Sequence, residues 1–181
     1  RMAEHAEKEK VDLVILAGDV ADLNHSVEGM IGPFKAKGLE VAVLPGNHEG
    51  MGEIGFLIDK YHAFNLHGYA KKFGDVGIFG CGYGDIGVHQ LTEKQFLETL
   101  RKAREQLKGV KKTLMVTHIQ PSKSILGLGM FPGSEGVREA IFELKPNIHI
   151  CGHVHETQGI EEIIGKTRVI NVGKMGKIIE I

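Results

Sequence analysis

Four short motifs place residue types that bind metals and phosphate at turns along the chain. They are GDVAD at residues 18–22, GNHE at 46–49, TH at 117–118 and GHVH at 152–155. Together they offer carboxylate and amide oxygens and imidazole nitrogens, a mixture that suits Mn, Fe, Co, Ni or Zn better than Ca. Three of the motifs contain a glycine, which lets the backbone turn sharply and come close to an ion or a phosphate. The motifs therefore predict a transition-metal site beside a phosphate group.

An apolar run comes before each motif. The runs are VDLVILA at 11–17, EVAVL at 40–44, TLMVT at 113–117 and NIHIC at 147–151. Short continuous runs of this kind are typical of strands that are buried on both faces. In open α/β sheets, ligands bind at the carboxyl ends of the strands. We therefore expect six residues to converge on one edge of the fold: Asp19, Asn47, His48, His118, His153 and His155.

Segments with helical periodicity separate these strands. They span residues 26–37, 53–62, 92–108 and 134–144. A further apolar run at 76–81 predicts another buried strand, and three short strands are predicted in the tail, at 159–164, 167–171 and 177–181. Alternating strands and helices predict a largely parallel sheet, and the tail adds antiparallel pairing. With no repeat, linker or low-complexity segment, residues 1–181 are predicted to form one domain.

The composition narrows the range of partners. The chain has 181 residues, 42% of them hydrophobic and 25% charged, and its 22 Lys and Arg nearly cancel its 23 Asp and Glu. No Lys/Arg stripe occurs, so an extended nucleic-acid surface is not indicated, whereas a small nucleotide stays open. The spacing of Cys81 and Cys151 along the sequence is not that of a thiolate metal site, so we expect both to be reduced, buried thiols. No apolar stretch is long enough to span a membrane, so we expect a cytoplasmic protein without a membrane partner.

The order and spelling of the motifs resemble the calcineurin-like metallophosphoesterases. The pattern of that family is D-x-H, GDxx(D/N), GNH(E/D), a lone His and GHxH, and this chain has the last four in order. Residues 132–141 and 159–173 also resemble the small single-domain prokaryotic branch with phosphodiesterase-like members. The resemblance implies an α/β protein with a four-layer α/β/β/α sandwich and mixed sheets.

The resemblance also implies a centre with two divalent transition-metal ions, for which Mn is favoured over Fe, Ni, Co or Zn. Asp19 would bridge the two ions. Asn47, His118 and His153 would complete one position, and His155 would bind at the other, together with the Asp and His of D-x-H. The ions would clamp the phosphate and activate a water for in-line attack, without a covalent enzyme intermediate.

Three further residues receive roles beside the metals. The resemblance implies that His48 is catalytic: it would face the substrate, bind no metal, and stabilise or protonate the leaving oxygen. Asp22 is expected to support a ligand, to touch substrate or to form an Asx turn. Glu49 is expected to support the ligands rather than to bind metal itself.

The D-x-H motif does not occur in these 181 residues. The nearest match, Asp59 to His62, has one residue too many and lies in a predicted helix. The chain opens on a helix-like segment, and a strand-to-helix crossover needs a strand before it. We therefore expect that a first strand carrying D-x-H precedes Arg1 in the native domain.

Two readings of function compete with hydrolysis. One is a non-catalytic scaffold of the same fold, for which the retromer subunit is the example. Scaffolds of that kind differ from the family pattern at the His of the GNH motif, whereas this chain retains it as His48. The other is a single-metal module that binds a nucleotide without turnover. For an enzyme, the branch resemblance favours a phosphodiester over a monoester as the small phosphate-ester substrate. The sequence does not decide the oligomeric state. The apolar, glycine-rich segment 124–133 is expected to form a lid over the site, a contact with another subunit or a packed loop.

Overall fold

Two β-sheets are formed by the apolar runs of the sequence. The structure is a computed structural model that describes residues 1–20 and 29–181. The first sheet is parallel, in the order β1-β2-β3, with β1 Val14–Ala17, β2 Val41–Leu44 and β3 Phe64–Asn65. The second sheet has the order β4-β5-β6-β7-β9-β8. Its strands are β4 Ala70–Phe73, β5 Val76–Cys81, β6 Lys112–Thr117, β7 Ile148–Cys151, β8 Glu161–Ile164 and β9 Thr167–Asn171. Only the outer pairs β4–β5 and β8–β9 are antiparallel.

Helices join the strands and cover the outer faces of the sheets. They are α1 Met2–Lys8, α2 Gly32–Lys35, α3 Met51–Tyr61, α4 Glu93–Glu105 and α5 Glu135–Leu144, with short 3₁₀ turns at Ile125–Gly127 and His155–Thr157. The start of α4 is fixed by a capping box, in which Thr92 Oγ1 accepts from Gln95 N and Gln95 Oε1 accepts from Thr92 N. The start of α5 is capped in a similar way by Ser134, whose hydroxyl accepts from Val137 N.

Three apolar cores separate four layers. Along β2, Val43 packs toward α1–α3, whereas Leu44 packs between the two sheets. Along β6, Val116 packs between the sheets, whereas Met115 packs toward α4 and α5. Strands β2 and β6 are thus buried on both faces, which is why their runs show no polar alternation. The order helices, sheet, sheet, helices confirms the predicted α/β/β/α sandwich with mixed sheets.

Some elements differ from the sequence-based expectation. The tail 177–181 is not a strand; Ile179 and Ile181 pack against the core between the sheets without joining a ladder. Strands β3 and β4 were not predicted, because β3 has two residues and β4 is the edge sequence AKKF, where two lysines interrupt the apolar pattern. Of the helix predicted at 26–37, the described part contains α2 alone.

The carboxyl ends of β1, β2, β6 and β7 meet between the sheets. His118, directly after β6, contacts the carbonyl of Ala17 at the end of β1, with Nδ1 and O 2.9 Å apart. Next to it, Tyr83 N donates to Pro45 O at 2.7 Å. The motif residues therefore lie at one edge of the sandwich. In the part of the chain that the structure describes, no helix has the length and apolar character needed to cross a membrane.

Candidate metal centre

Asp19 lies in a tight turn after β1. Gly18 and Asp19 both have positive φ angles, 84° and 49°. Left-handed backbone at a residue other than glycine costs about 1–3 kcal/mol and is concentrated at functional sites. The turn is packed against the one that follows β2, since a Cβ on Gly46 would lie 2.0 Å from Asp19 Oδ1. Gly46 therefore leaves the space in which the Asp19 carboxylate sits.

His118 is buried, and its two ring nitrogens face different groups. A carbonyl oxygen can only accept, so the contact with Ala17 O places a proton on Nδ1. In the neutral ring, Nε2 then carries a lone pair, which lies 3.2 Å from Asp19 Oδ2 and 2.9 Å from Asn47 Oδ1. Metal-binding histidines commonly donate their other N–H to a backbone carbonyl in this way. Gly18 makes the arrangement fit, because a Cβ there would lie 2.6 Å from His118 Nδ1.

His153 completes the cluster from the turn after β7. Its φ is 65°, a second left-handed residue in the site. Its Nδ1 lies 3.1 Å from Asn47 Oδ1 and 3.2 Å from His118 Nε2. Burial, together with the neighbouring His118, lowers the pKa of His153 to about 4. Its imidazole is therefore neutral near pH 7, as a metal ligand must be.

The donor set fits a divalent transition metal. Asp19, His118 and His153 offer ligand atoms that all lie within 4.8 Å of one another. In the orientation that the structure gives Asn47, its Oδ1 joins them at 2.9 and 3.1 Å from the two histidine nitrogens. Neighbouring ligands at about 2.1 Å from one ion lie roughly 3 Å apart in octahedral geometry. A cation at this point would satisfy several acceptor atoms at once.

The charge on Asp19 suits such a cation. Burial opposes ionisation of this carboxyl, but its interactions with the side chains of His118 and His48 and with the His48 backbone N–H outweigh burial and lower the pKa. Asp19 is therefore ionised near pH 7. An anionic oxygen beside imidazole nitrogens is a common ligand combination for Mn, Fe and Zn.

Glu49 links the two turns that precede the cluster. Its Oε1 accepts from Val20 N at 3.0 Å, and the nearby backbone N–H of Gly46 favours the ionised form of the carboxyl. Burial, with the nearby charge of Asp19, raises the pKa of Glu49. Glu49 is not a member of the compact set of ligand atoms among the described residues, and its supporting role stays a prediction.

The remaining predicted residues lie around the cluster. The side chain of His48 is exposed, with Nε2 3.8 Å from Asp19 Oδ2, and its backbone N–H donates to Asp19 Oδ1 at 3.3 Å. His155 is exposed at the start of a 3₁₀ turn and, among the described residues, is not a member of the compact set of ligand atoms. Asp22 lies outside the described residues.

Two loops beside the cluster contribute residues that no motif indicated. In the segment 124–133, Leu126 is buried and the ring of Phe131 lies 6.1 Å from that of His153, whereas Ile125, Leu128 and Met130 are exposed. The second loop, residues 82–90, packs on Asn47 through Gly84 and carries Asp85. A single Phe and a single Asp give no sequence signal, because only the tertiary fold brings them here.

Structural comparison finds the same fold in proteins of low sequence identity. TT1561 of Thermus thermophilus aligns with a TM-score of 0.74 and 16% identity, over 96% of this chain and 81% of that chain. The Thermus thermophilus sulfate thiohydrolase SoxB, solved in complex with glycerol, aligns with a TM-score of 0.59 and 14% identity, over 97% of this chain and 36% of that chain. GAP50, the anchor in the inner membrane complex of Plasmodium, aligns with a TM-score of 0.57 and 11% identity, over 95% of this chain and 64% of that chain. A sequence comparison with curated proteins finds no significant match.

A family profile decides the classification. Residues 1–157 match the profile described as calcineurin-like phosphoesterase, which includes all four motifs and the strands before them. The general activity of this family is metal-dependent hydrolysis of phosphoesters, and the cluster of Asp19, His118 and His153 offers ligand atoms for a metal ion of the kind that such chemistry needs. On the match over most of its length, the chain belongs to the calcineurin-like phosphoesterase family.

Proposed function

We propose that the protein is a phosphodiesterase that uses two divalent metal ions, with Mn²⁺ favoured. Asp19, Asn47, His118 and His153 would hold one ion, and Asp19 and His155 would contribute to holding the second. The observation that carries the proposal is the convergence of four ligand-type atoms, with neighbouring distances of 2.9 to 3.2 Å, between the two sheets.

The reaction is hydrolysis at phosphorus. Bound divalent cations lower the pKa of a water toward about 7 and offset the charge that builds up on the phosphate. The water oxygen forms a bond to phosphorus as the bond from phosphorus to the leaving oxygen breaks, which gives a phosphate monoester and an alcohol. One proton of the water is lost on activation, and the leaving oxygen gains one.

His48 supplies the proton to the leaving oxygen. Its side chain is on the solvent side of Asp19, with 39% of its surface exposed, so a bound ester can reach it. Its backbone N–H is fixed to the Asp19 carboxylate, which sets the position of the ring relative to the metal ligands. A general acid must lie within hydrogen-bond reach of the atom that it protonates, and this placement supports that role.

The charges around the site support a diester over a monoester. Asp85 and Glu93 lie in the cavity next to the cluster. A phosphate monoester carries close to one more negative charge than a diester near pH 7, because its second pKa is about 6. These carboxylates repel the monoester more strongly.

The test is hydrolysis of bis(4-nitrophenyl) phosphate and 4-nitrophenyl phosphate with Mn²⁺, with and without EDTA. We expect turnover that EDTA removes and that Mn²⁺ restores, with a higher kcat/KM for the diester. The His118→Ala variant should lose Mn²⁺ binding and turnover, whereas His5→Ala, which changes an exposed histidine on α1, should retain both. Absence of turnover in the folded protein at saturating Mn²⁺ would contradict the proposal, and a preference for the monoester would contradict its substrate class.

A further inference from the structure

A cavity of about 500 Å³ lies beside the metal cluster, between the loops that follow β5 and β6. Its lining includes residues from both loops and from the starts of α4 and α5. Those that matter for its chemistry are Asp85, Glu93, Ser122, Lys123, Phe131 and Glu135. A volume of this size accommodates a small organic group.

The cavity borders the cluster on two sides. The ring of Phe131, in its lining, lies 6.1 Å from the ring of His153, with the planes at 81°. On the other side, Gly84 precedes Asp85 and packs so closely on Asn47 that a Cβ on Gly84 would lie 3.0 Å from the Asn47 Cβ. The two loops thus place the cavity next to the point at which a phosphate would bind at the cluster.

The charge of the cavity is acidic. Lys123 forms an ion pair with Glu135, with Nζ 3.1 Å from Oε1, so these two charges offset each other. Within residues 1–20 and 29–181, neither Asp85 nor Glu93 forms an ion pair. Glu93 Oε2 is held at the start of α5 by Gly136 N at 2.7 Å. Burial, with the charge of Glu93, raises the pKa of Asp85, as expected when two carboxylates share a space without a cation.

A buried hydroxyl in the same cavity also lacks a partner. Ser122 is 4% exposed, and its Oγ makes no hydrogen bond to the residues that the structure describes. It lies close enough to Glu135 to help lower the pKa of that carboxyl, but without the geometry of a hydrogen bond. Buried hydroxyls without a partner are uncommon in folded proteins, and a ligand would supply the missing bond.

We propose that this cavity binds the organic group that stays esterified to the phosphate during hydrolysis, and that it selects a group that carries an organic ammonium. Carboxylates with an aromatic side chain are the combination that recognises alkylammonium cations, through charge and through cation–π contact. Asp85 and Glu93 supply the charge and Phe131 the aromatic surface. The proposal rests on the phosphodiesterase activity proposed above.

The experiment compares two esters that differ in one charge. 4-Nitrophenyl phosphorylcholine carries a trimethylammonium group, and 4-nitrophenyl 3,3-dimethylbutyl phosphate has the same shape without the charge. Both release 4-nitrophenolate, so one assay with Mn²⁺ gives kcat/KM for each. We expect the wild-type protein to prefer the cationic ester about tenfold. In Asp85→Asn, which removes the charge and keeps the shape, the preference should fall to about threefold or less.

The matched control is Asp75→Asn, with circular dichroism to verify folding of both variants. Asp75 is an exposed acid at the opposite end of β5, paired with Lys111, and the preference in this variant should equal that of the wild type. Hydrolysis of both esters with equal kcat/KM would overturn the ammonium proposal and leave the phosphodiesterase proposal standing. Hydrolysis of neither ester, nor of bis(4-nitrophenyl) phosphate, would overturn the phosphodiesterase proposal and this inference with it. Loss of preference in Phe131→Leu as well would support the aromatic contribution.

Discussion

At the scale of single residues, the site depends on glycines that leave room for charged side chains. A Cβ on Gly46 would lie 2.0 Å from Asp19 Oδ1 and 2.4 Å from Asp19 N. The first contact could be relieved by a rotation of the carboxylate, but that would turn it away from His118. We therefore expect Gly46→Ala to weaken Mn²⁺ binding by at least tenfold, measured by calorimetric titration.

The chain offers a matched control for this substitution. Gly52 is six residues further along, inside α3, and a Cβ there would meet no atom within 4 Å. Because alanine loses less backbone entropy than glycine in a helix, Gly52→Ala should stabilise the fold by about 0.5–1 kcal/mol and leave Mn²⁺ binding unchanged. Equal metal binding in the two variants would show that Asp19 does not need the space beside Gly46.

His48 and the metal ligands should respond differently to removal. The side chain of His48 is exposed and 3.8 Å from Asp19 Oδ2, outside the converging ligand atoms. We expect His48→Ala to lower kcat for the diester by about 10²- to 10⁴-fold, the usual contribution of a general acid, while Mn²⁺ binds as in the wild type. Wild-type turnover in this variant would show that His48 takes no part in the reaction. Loss of bound Mn²⁺ would show that His48 is a metal ligand.

The sequence indicated the cluster better than its surroundings. Asp19, Asn47, His118 and His153 each follow an apolar strand, and the carboxyl ends of such strands meet, so their convergence follows from the pattern. Within GHVH, the pattern cannot distinguish the histidine that faces the cluster from His155, because a left-handed φ at residue 153 decides it. The metal-binding and catalytic roles of these residues stay predictions.

At the scale of elements, β7 carries a histidine whose burial couples folding to pH. His149 is fully buried at the centre of the second sheet. Thr117 Oγ1 donates to Ile119 O at 2.6 Å and therefore accepts from His149 Nε2 at 2.7 Å. The other nitrogen, Nδ1, has no partner among the described residues. Burial lowers the pKa of His149 to about 3, so the ring stays neutral in the folded protein down to low pH.

This burial predicts a loss of stability in acid. Between pH 6.5 and about 3 the unfolded chain binds a proton at His149 that the folded chain does not, so the free energy of unfolding falls as the pH falls. The slope from this one group is about 1.4 kcal/mol per pH unit. The free energy of unfolding is measured by urea titration with EDTA at pH 7, 6, 5 and 4. Its dependence on pH should be smaller in His149→Gln than in the wild type by about that slope. Exposed His62→Gln is the control, and equal slopes in all three proteins would contradict the assignment.

At this scale, continuous apolar runs in the sequence predicted the strands that are buried on both faces. Strands β2 and β6 follow from continuous apolar runs, since nothing but a double-sided sheet buries every side chain of such a run. The tail 177–181 has a similar pattern, but Ile179 and Ile181 are only partly buried, without a partner strand, and Ile178 is exposed. A short apolar run therefore becomes a buried strand only where the rest of the fold supplies hydrogen-bonded neighbours.

At the scale of the whole molecule, the candidate site connects the two sheets. Asp19 and Asn47 follow strands of the first sheet, and His118 and His153 follow strands of the second. Without a metal, the apolar core between the sheets is supplemented at this edge by the contact of His118 with Ala17 O. A metal held by ligands from both sheets would add a direct connection between them.

Metal binding should therefore stabilise the two sheets together. A ligand that binds only the folded state at one hundred times its dissociation constant adds about 2.7 kcal/mol to the free energy of unfolding. We expect Mn²⁺ at that concentration to raise the Tm and to slow amide hydrogen exchange in β1 and β2 as well as in β6 and β7. In His118→Ala, which removes a ligand from the second sheet only, the added protection should disappear from both sheets, whereas His5→Ala should retain it. Protection confined to the second sheet of the wild-type protein would mean that Asp19 and Asn47 do not share the ion with His118 and His153.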